Sequence, residues 1–85
     1  MELLDRISMF FLIEYDRDKG QMVTFRTFED SERESAENSR LELELDLNRR
    51  GVEHEVVILE AASEDAVRRT HRRYFETLEE LLKAS

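Results

Sequence analysis

Residues 7–15, Ile7-Ser8-Met9-Phe10-Phe11-Leu12-Ile13-Glu14-Tyr15, are apolar at nearly every position, and they leave this chain few ways to fold. The run is too short for a helix and rich in strand formers, so it predicts a strand. Ile7, Met9, Phe11 and Ile13 point one way, Phe10 and Leu12 the other, so both faces need covering and the strand belongs in the centre of a sheet. Its unbroken apolar core, residues 9–13, is far shorter than a membrane span or a signal-peptide core, so no targeted or inserted segment and no membrane partner is expected.

The rest of the chain is arranged around that strand. Asp16-Arg17-Asp18-Lys19-Gly20 supplies turn formers, and Gly20 can take a positive φ at the end of a tight hairpin loop. Residues 21–28 return as the partner, with Val23, Phe25 and Thr27 on one face and Met22, Thr24, Arg26 and Phe28 on the other. That mixed pattern suits an edge strand half open to water. Ser31-Glu32-Arg33-Glu34 matches a capping box, and the helix it opens can run to Arg50, with Gly51 leaving in the left-handed conformation.

Leu41-Glu42-Leu43-Glu44-Leu45-Asp46-Leu47 alternates strictly, which is a strand signature, so a fourth strand is the alternative there. Helix is preferred because Leu, Glu and Arg form helices well and Glu is depleted in strands. As a helix the segment has Leu43 and Leu47 on one side with Ala36, and Leu41 and Leu45 about 160° away. One stripe packs on the sheet and the other wants a second surface.

Residues 52–60 read as the third strand, with Val52, His54, Val56 and Ile58 on one face, Val57 and Leu59 on the other, and an apolar second half that should be buried. Ser63-Glu64-Asp65-Ala66 opens a last helix expected to continue to about Lys83, its buried face made of Val67, His71, Tyr74, Phe75, Leu78, Leu81 and Leu82. The expected architecture is a single α+β domain over residues 1–85, ordered ββαβα. Its three-stranded mixed sheet has the order 2-1-3, with the third strand parallel to the second through a right-handed crossover. At this length the core is small, and association with another chain is a common remedy.

Charge is unevenly placed. The chain carries a net charge of -8, and residues 29–46 hold eight acids against Arg33 and Arg40. Residues 64–73 reverse the balance, with Arg68, Arg69, Arg72 and Arg73 against Glu64 and Asp65. An acidic total discourages a general nucleic-acid binder, whose affinity rests on counterion release by Lys and Arg. A small basic stripe suits an acidic protein surface better, so these four arginines are the expected partner-binding residues. The bland alternative is a solvent face laced by Glu64–Arg68, Asp65–Arg69 and Arg72–Glu76 at i, i+4 spacing.

Chemistry-bearing patterns are scarce. Gly20 and Gly51 are isolated, so no glycine-rich phosphate cradle can be built, and Ser31 and Ser63 read as helix caps rather than nucleophiles. His54 and His71 lie on different elements without metal-ligand spacing, and His71 reads as an imidazole on a buried helix face. Carboxylates such as Glu42, Glu44, Asp46, Glu53 and Glu55 are too abundant to single out. With no cysteine there is no disulfide framework, which fits a reducing compartment, and the cytoplasm is the expected location. The function expected is that of a small, non-catalytic protein–protein interaction module without cofactor or metal, a homodimer or the partner of an acidic protein surface. The alternative is a weak RNA or DNA binder using the arginine cluster, and a hydrolase or metal enzyme built on His54 and His71 ranks last.

Overall fold

The structure is a computed structural model and describes residues 8–76. Its elements are β1 (Met9–Asp16), β2 (Gln21–Glu29), a 3-10 turn (Asp30–Glu32), α1 (Arg33–Arg50), β3 (Glu55–Ala61), α2 (Glu64–Thr70) and a second 3-10 turn (Arg72–Tyr74). The sheet order is β2-β1-β3, so the α+β class, the order of elements and the central place of the apolar strand are as expected. β3 does run in the direction of β2, but β1 lies between them, so both ladders are antiparallel and the sheet is antiparallel, not mixed. The alternating leucines lie inside α1 and form no fourth strand.

Every residue of β1 from 10 to 15 is buried, which is the demand its two apolar faces make. On one face Phe10 and Leu12 pack with Phe28, Ala36 of α1, Val56 and Ile58. On the other, Ile13 and Tyr15 pack with Tyr74, Met22, Phe25, Val57, Leu59 and Phe75. Phe25 holds that second face together, stacked on Phe11 at 5.7 Å between centroids and met edge-on by Phe75 at 5.4 Å.

The strands depart from strict alternation in one place. Glu14 pairs with Thr24 and Tyr15 with Met22, so Val23 is the extra residue of a bulge. Met22 therefore joins the face of Phe25, not the face of Thr24, Arg26 and Phe28, and Val23 is left 53% exposed. β3 starts at Glu55 instead of Val52, and Val57, Ile58 and Leu59 are half-buried instead of buried, because β3 is the sheet's other edge and has a neighbour on one side only.

α1 ends as its sequence predicts. Gly51 sits at φ 68°, its N–H bonds the Asn48 carbonyl at 3.2 Å, and the Val52 N–H bonds the Leu47 carbonyl at 2.9 Å, the two bonds of a Schellman motif. The other end differs. The capping box is built by Glu29 and Glu32 around the 3-10 turn, with the Glu29 N–H bonding Glu32 Oε1 at 2.8 Å, and Ser31 and Glu34 take no part. β2 runs directly into the 3-10 turn at Glu29, so the box forms two residues earlier than expected, and carboxylates there serve both the orphan N–H groups and the helix dipole. Along α1, Ala36 and Leu47 are buried while Leu41 and Leu45 are 54% and 53% exposed, the two opposed stripes that the spacing requires.

The last helix is shorter than expected. Ser63 caps it through a 3.0 Å bond from the Ala66 N–H to its Oγ, but α2 stops at Thr70, whose hydroxyl bonds back to the Ala66 carbonyl at 3.0 Å. His71 leaves helical geometry at φ -127°, ψ 52°, and a 3-10 turn follows. Neither glycine nor proline marks the break. What it achieves is tertiary: Tyr74 is aimed edge-on at Tyr15, 5.2 Å between centroids, and Phe75 at Phe25. The expected core residues Leu78, Leu81 and Leu82 and the end at Lys83 lie outside the described residues.

A methyl group added at Gly51 meets nothing within 4 Å, so Gly51→Ala carries backbone strain alone. It should lower stability by about 1 kcal/mol, and Gly51→Asn by less, since asparagine tolerates the left-handed region better. Urea unfolding followed by circular dichroism measures both.

Candidate functional site

Two constellations hold the polar chemistry of the described residues, and only one of them is visible in the sequence. Arg68, Arg69 and Arg72 each hold a carboxylate four residues away. Arg68 bonds Glu64 Oε2 at 2.8 and 3.0 Å, Arg69 bonds Asp65 at 2.9 Å, and Arg72 bonds Glu76 Oε2 at 3.0 and 3.2 Å. These are the three pairs of the solvent-face reading. The Arg68 guanidinium also lies 4.7 Å over the Phe75 ring.

Arg73 is not part of that row. The break at His71 turns it toward the sheet, where it bonds both Glu55 oxygens at 3.0 and 3.3 Å and lies over the rings of Tyr74, at 4.1 Å, and Tyr15, at 5.7 Å. The one-turn ladder of Arg69 and Arg73 that a continuous helix implies is absent, because the two residues belong to different elements. All four arginines are exposed; Arg68, Arg69 and Arg72 each hold an acid four residues away, and Arg73 holds Glu55 across the fold.

The second constellation gathers where β1 ends, β3 begins and the second 3-10 turn crosses them. Glu14, 5% exposed, is the buried charge of the described core. Its Oε1 accepts from the Thr24 hydroxyl at 2.7 Å, and its Oε2 lies 2.6 Å from His54 Nδ1. His54 Nε2 faces Asp16 Oδ2 at 3.5 Å, so the imidazole lies between the two carboxylates. Asp16 also accepts from the Asp18 and Lys19 N–H groups at 3.0 and 3.2 Å, which ties the hairpin turn to the same cluster.

Glu55 stands beside it at the start of β3. Tyr74 donates to its Oε2 at 2.5 Å, Arg73 reaches it from one side, and Arg17 lies 3.3 Å away on the other. The Tyr74 hydrogen bond, and then the Arg73 and Arg17 guanidiniums, hold the Glu55 carboxyl below its ordinary range against the opposing effect of burial. Burial, with the Glu55 hydrogen bond and charge, pushes the Tyr74 phenol up to about 12.

An open cleft of about 410 Å³ lies over this end, lined by Arg17, Asp18, Glu53, His54 and Glu55. Beneath it two separate pairings, His54 with Glu14 and Tyr74 with Glu55, make the arrangement a clamp joining hairpin, β3 and the second 3-10 turn. His71 takes no part in it; that side chain is half-buried where α2 ends, its ring 6.4 Å from the Tyr74 ring. Among the described residues no group of three or more His, Asp or Glu is placed to hold a metal ion, and no helix is long and apolar enough to cross a membrane. The chain matches no family model, no curated protein and no solved structure.

Sequence reasoning passed over this cluster by treating Glu55 as one acid among many and His54 as an isolated histidine. The available signal was Glu14, a lone acid in a strand whose two faces must both be buried, since such a carboxylate requires a hydrogen-bonding or cationic neighbour.

His54→Ala leaves Glu14 buried beside the Thr24 hydroxyl alone and should cost about 2 kcal/mol of stability, more than a typical surface substitution. Adding Glu14→Gln, which removes the uncompensated charge, should recover part of that loss in urea titrations. The raised Tyr74 value gives a second expectation. Folding favours the neutral phenol, so its contribution is whole below pH 10 and is lost as pH rises from 10 toward about 12. Stability should fall across that window, and Tyr74→Phe should flatten the fall in urea midpoints measured at successive pH values.

Proposed function

We propose that this chain is a small, non-catalytic protein–protein interaction module that works as a homodimer in the cytoplasm. The observation that carries the reading is apolar surface that the described residues do not cover. The central strand is closed on both faces, yet Leu41 and Leu45 stay more than half exposed on the outer side of α1, and β3 keeps a half-exposed apolar edge.

The arginine cluster contributes to this reading in a narrower form. Arg68, Arg69 and Arg72 remain at the surface and can exchange their own carboxylates for those of an acidic partner, whereas Arg73 holds Glu55 and Tyr74. Carboxylates already beside these guanidiniums weigh against a phosphate backbone as ligand, because they repel it.

Sedimentation of the full chain at micromolar concentration should give the mass of a dimer, and a monomer throughout that range overturns the reading. Binding to a single-stranded RNA probe should be absent even at low salt. Strong, steeply salt-dependent binding would favour the nucleic-acid alternative instead. Arg69→Glu with Arg72→Glu tests the surface arginines without touching the clamp. Arg73→Glu does not, since it sets a carboxylate against Glu55.

A further inference from the structure

We infer that two copies of the chain join through β3, edge to edge and antiparallel, with Leu59 on the two-fold axis and the partner's Glu60 seated between Arg33 and Arg40. This inference rests on the homodimer reading and names its interface. The sheet has two edges, and they are treated differently. β2 is interrupted by the bulge at Val23 and carries Arg26 and mostly polar, exposed residues. β3 pairs with β1 in continuous register over seven residues, has no glycine, proline or lysine, and holds its acids, Glu55 and Glu60, near its ends. Among the described residues no strand pairs with its outer side. An edge without bulge, proline or lysine, whose central four residues are all apolar, is a template for another strand.

The side chains agree with this. Val56, Val57, Ile58 and Leu59 are all half-buried, so a strand added beside them would cover apolar surface on both faces of the sheet. On the α1 face, a cleft of about 230 Å³ is lined by Phe10, Ala36, Ile58 and the chain's own Glu60, which accepts from the Ser8 hydroxyl at 2.8 Å, with Arg33, Glu37 and Arg40 along the helix. It takes no residue from β2, so it lies between α1 and the β1–β3 side of the sheet. Arg33 reaches Glu37 only at 3.6 Å, and Arg40 is in no ion pair among the described residues.

Charge chooses the register. With Leu59 opposite its own copy, Val57 faces the partner's Ala61 and Ile58 faces the partner's Glu60, because opposed residues in an antiparallel pair share a face. The partner's Glu60 then enters the cleft beside Arg40, and the axis repeats the contact. Across the joined clefts the guanidiniums of Arg33 and Arg40 are matched by the carboxylates of Glu37 and Glu60, copy for copy. The competing surface, the Leu41 and Leu45 stripe, is only two side chains wide, so self-docking there covers little apolar area for a stable dimer.

The absence of cysteine makes the register directly testable, since only a residue on a two-fold axis meets its own copy. Leu59→Cys should cross-link under mild oxidation, and Val57→Cys and Ile58→Cys should not. Glu60→Arg and Arg40→Glu should each weaken the dimer by about tenfold or more, and the two together should restore much of the loss. Circular dichroism confirms that each variant is folded. A monomeric wild-type chain overturns the homodimer reading and this inference together. A dimer that survives Glu60→Arg, fails to cross-link at Leu59 and dissociates in Leu41→Glu, Leu45→Glu overturns this interface alone. Cross-linking at Ile58 in place of Leu59 overturns the register and with it the Glu60–Arg40 pair.

Discussion

The burial of β1 on both faces is the constraint on which the other elements depend. Six consecutive side chains, residues 10–15, lie out of water, which a strand achieves only with a neighbour on each edge and a layer above and below. β2 and β3 supply the edges, α1 covers the Phe10 and Leu12 face, and Tyr74 and Phe75 beyond α2 help close the Ile13 and Tyr15 face. In a chain of 85 residues that coverage uses nearly every element. Among the described residues no element is left to shield the outer side of α1, and no strand pairs with the far edge of β3.

The same burial imposes a cost at Glu14. A carboxylate in a two-sided strand loses its water, and an unpaired charge there would be worse than any apolar replacement. His54 and Thr24 answer it from the two neighbouring elements, and the network continues through Asp16 into the hairpin turn. Close by, Glu55 draws in Tyr74, Arg73 and Arg17. The polar end of the sheet thereby orients the last part of the described chain. A helix running straight on through His71 would forfeit the contacts of Tyr74 with Glu55 and Tyr15.

That outcome divides the arginine cluster by the range of its contacts. Arg68, Arg69 and Arg72 follow local rules and find acids at i, i+4, as an exposed helix surface does. Arg73 follows a tertiary one, held by a glutamate eighteen residues earlier and by two aromatic rings. Four neighbouring guanidiniums thus have two jobs, and the boundary falls between Arg72 and Arg73, inside the second 3-10 turn.

How much of this was legible depended on the range of the interaction involved. Periodicity and capping are properties of neighbours in sequence, so the central strand, the hairpin, α1 through Leu41 and Leu45, the Gly51 exit and the Ser63 cap could all be read from the residues alone. The order 2-1-3 followed from the one strand that had to lie in the middle. The tertiary structure alone decided the bulge at Val23, the capping box at Glu29 and Glu32, the half-burial of β3, the stop at Thr70, and the clamp of Glu14, His54, Glu55 and Tyr74. Each of these turns on partners far apart in the chain or on a face left without a neighbour. A side chain's local pattern says that it must be covered or paired; only the packed fold says by what.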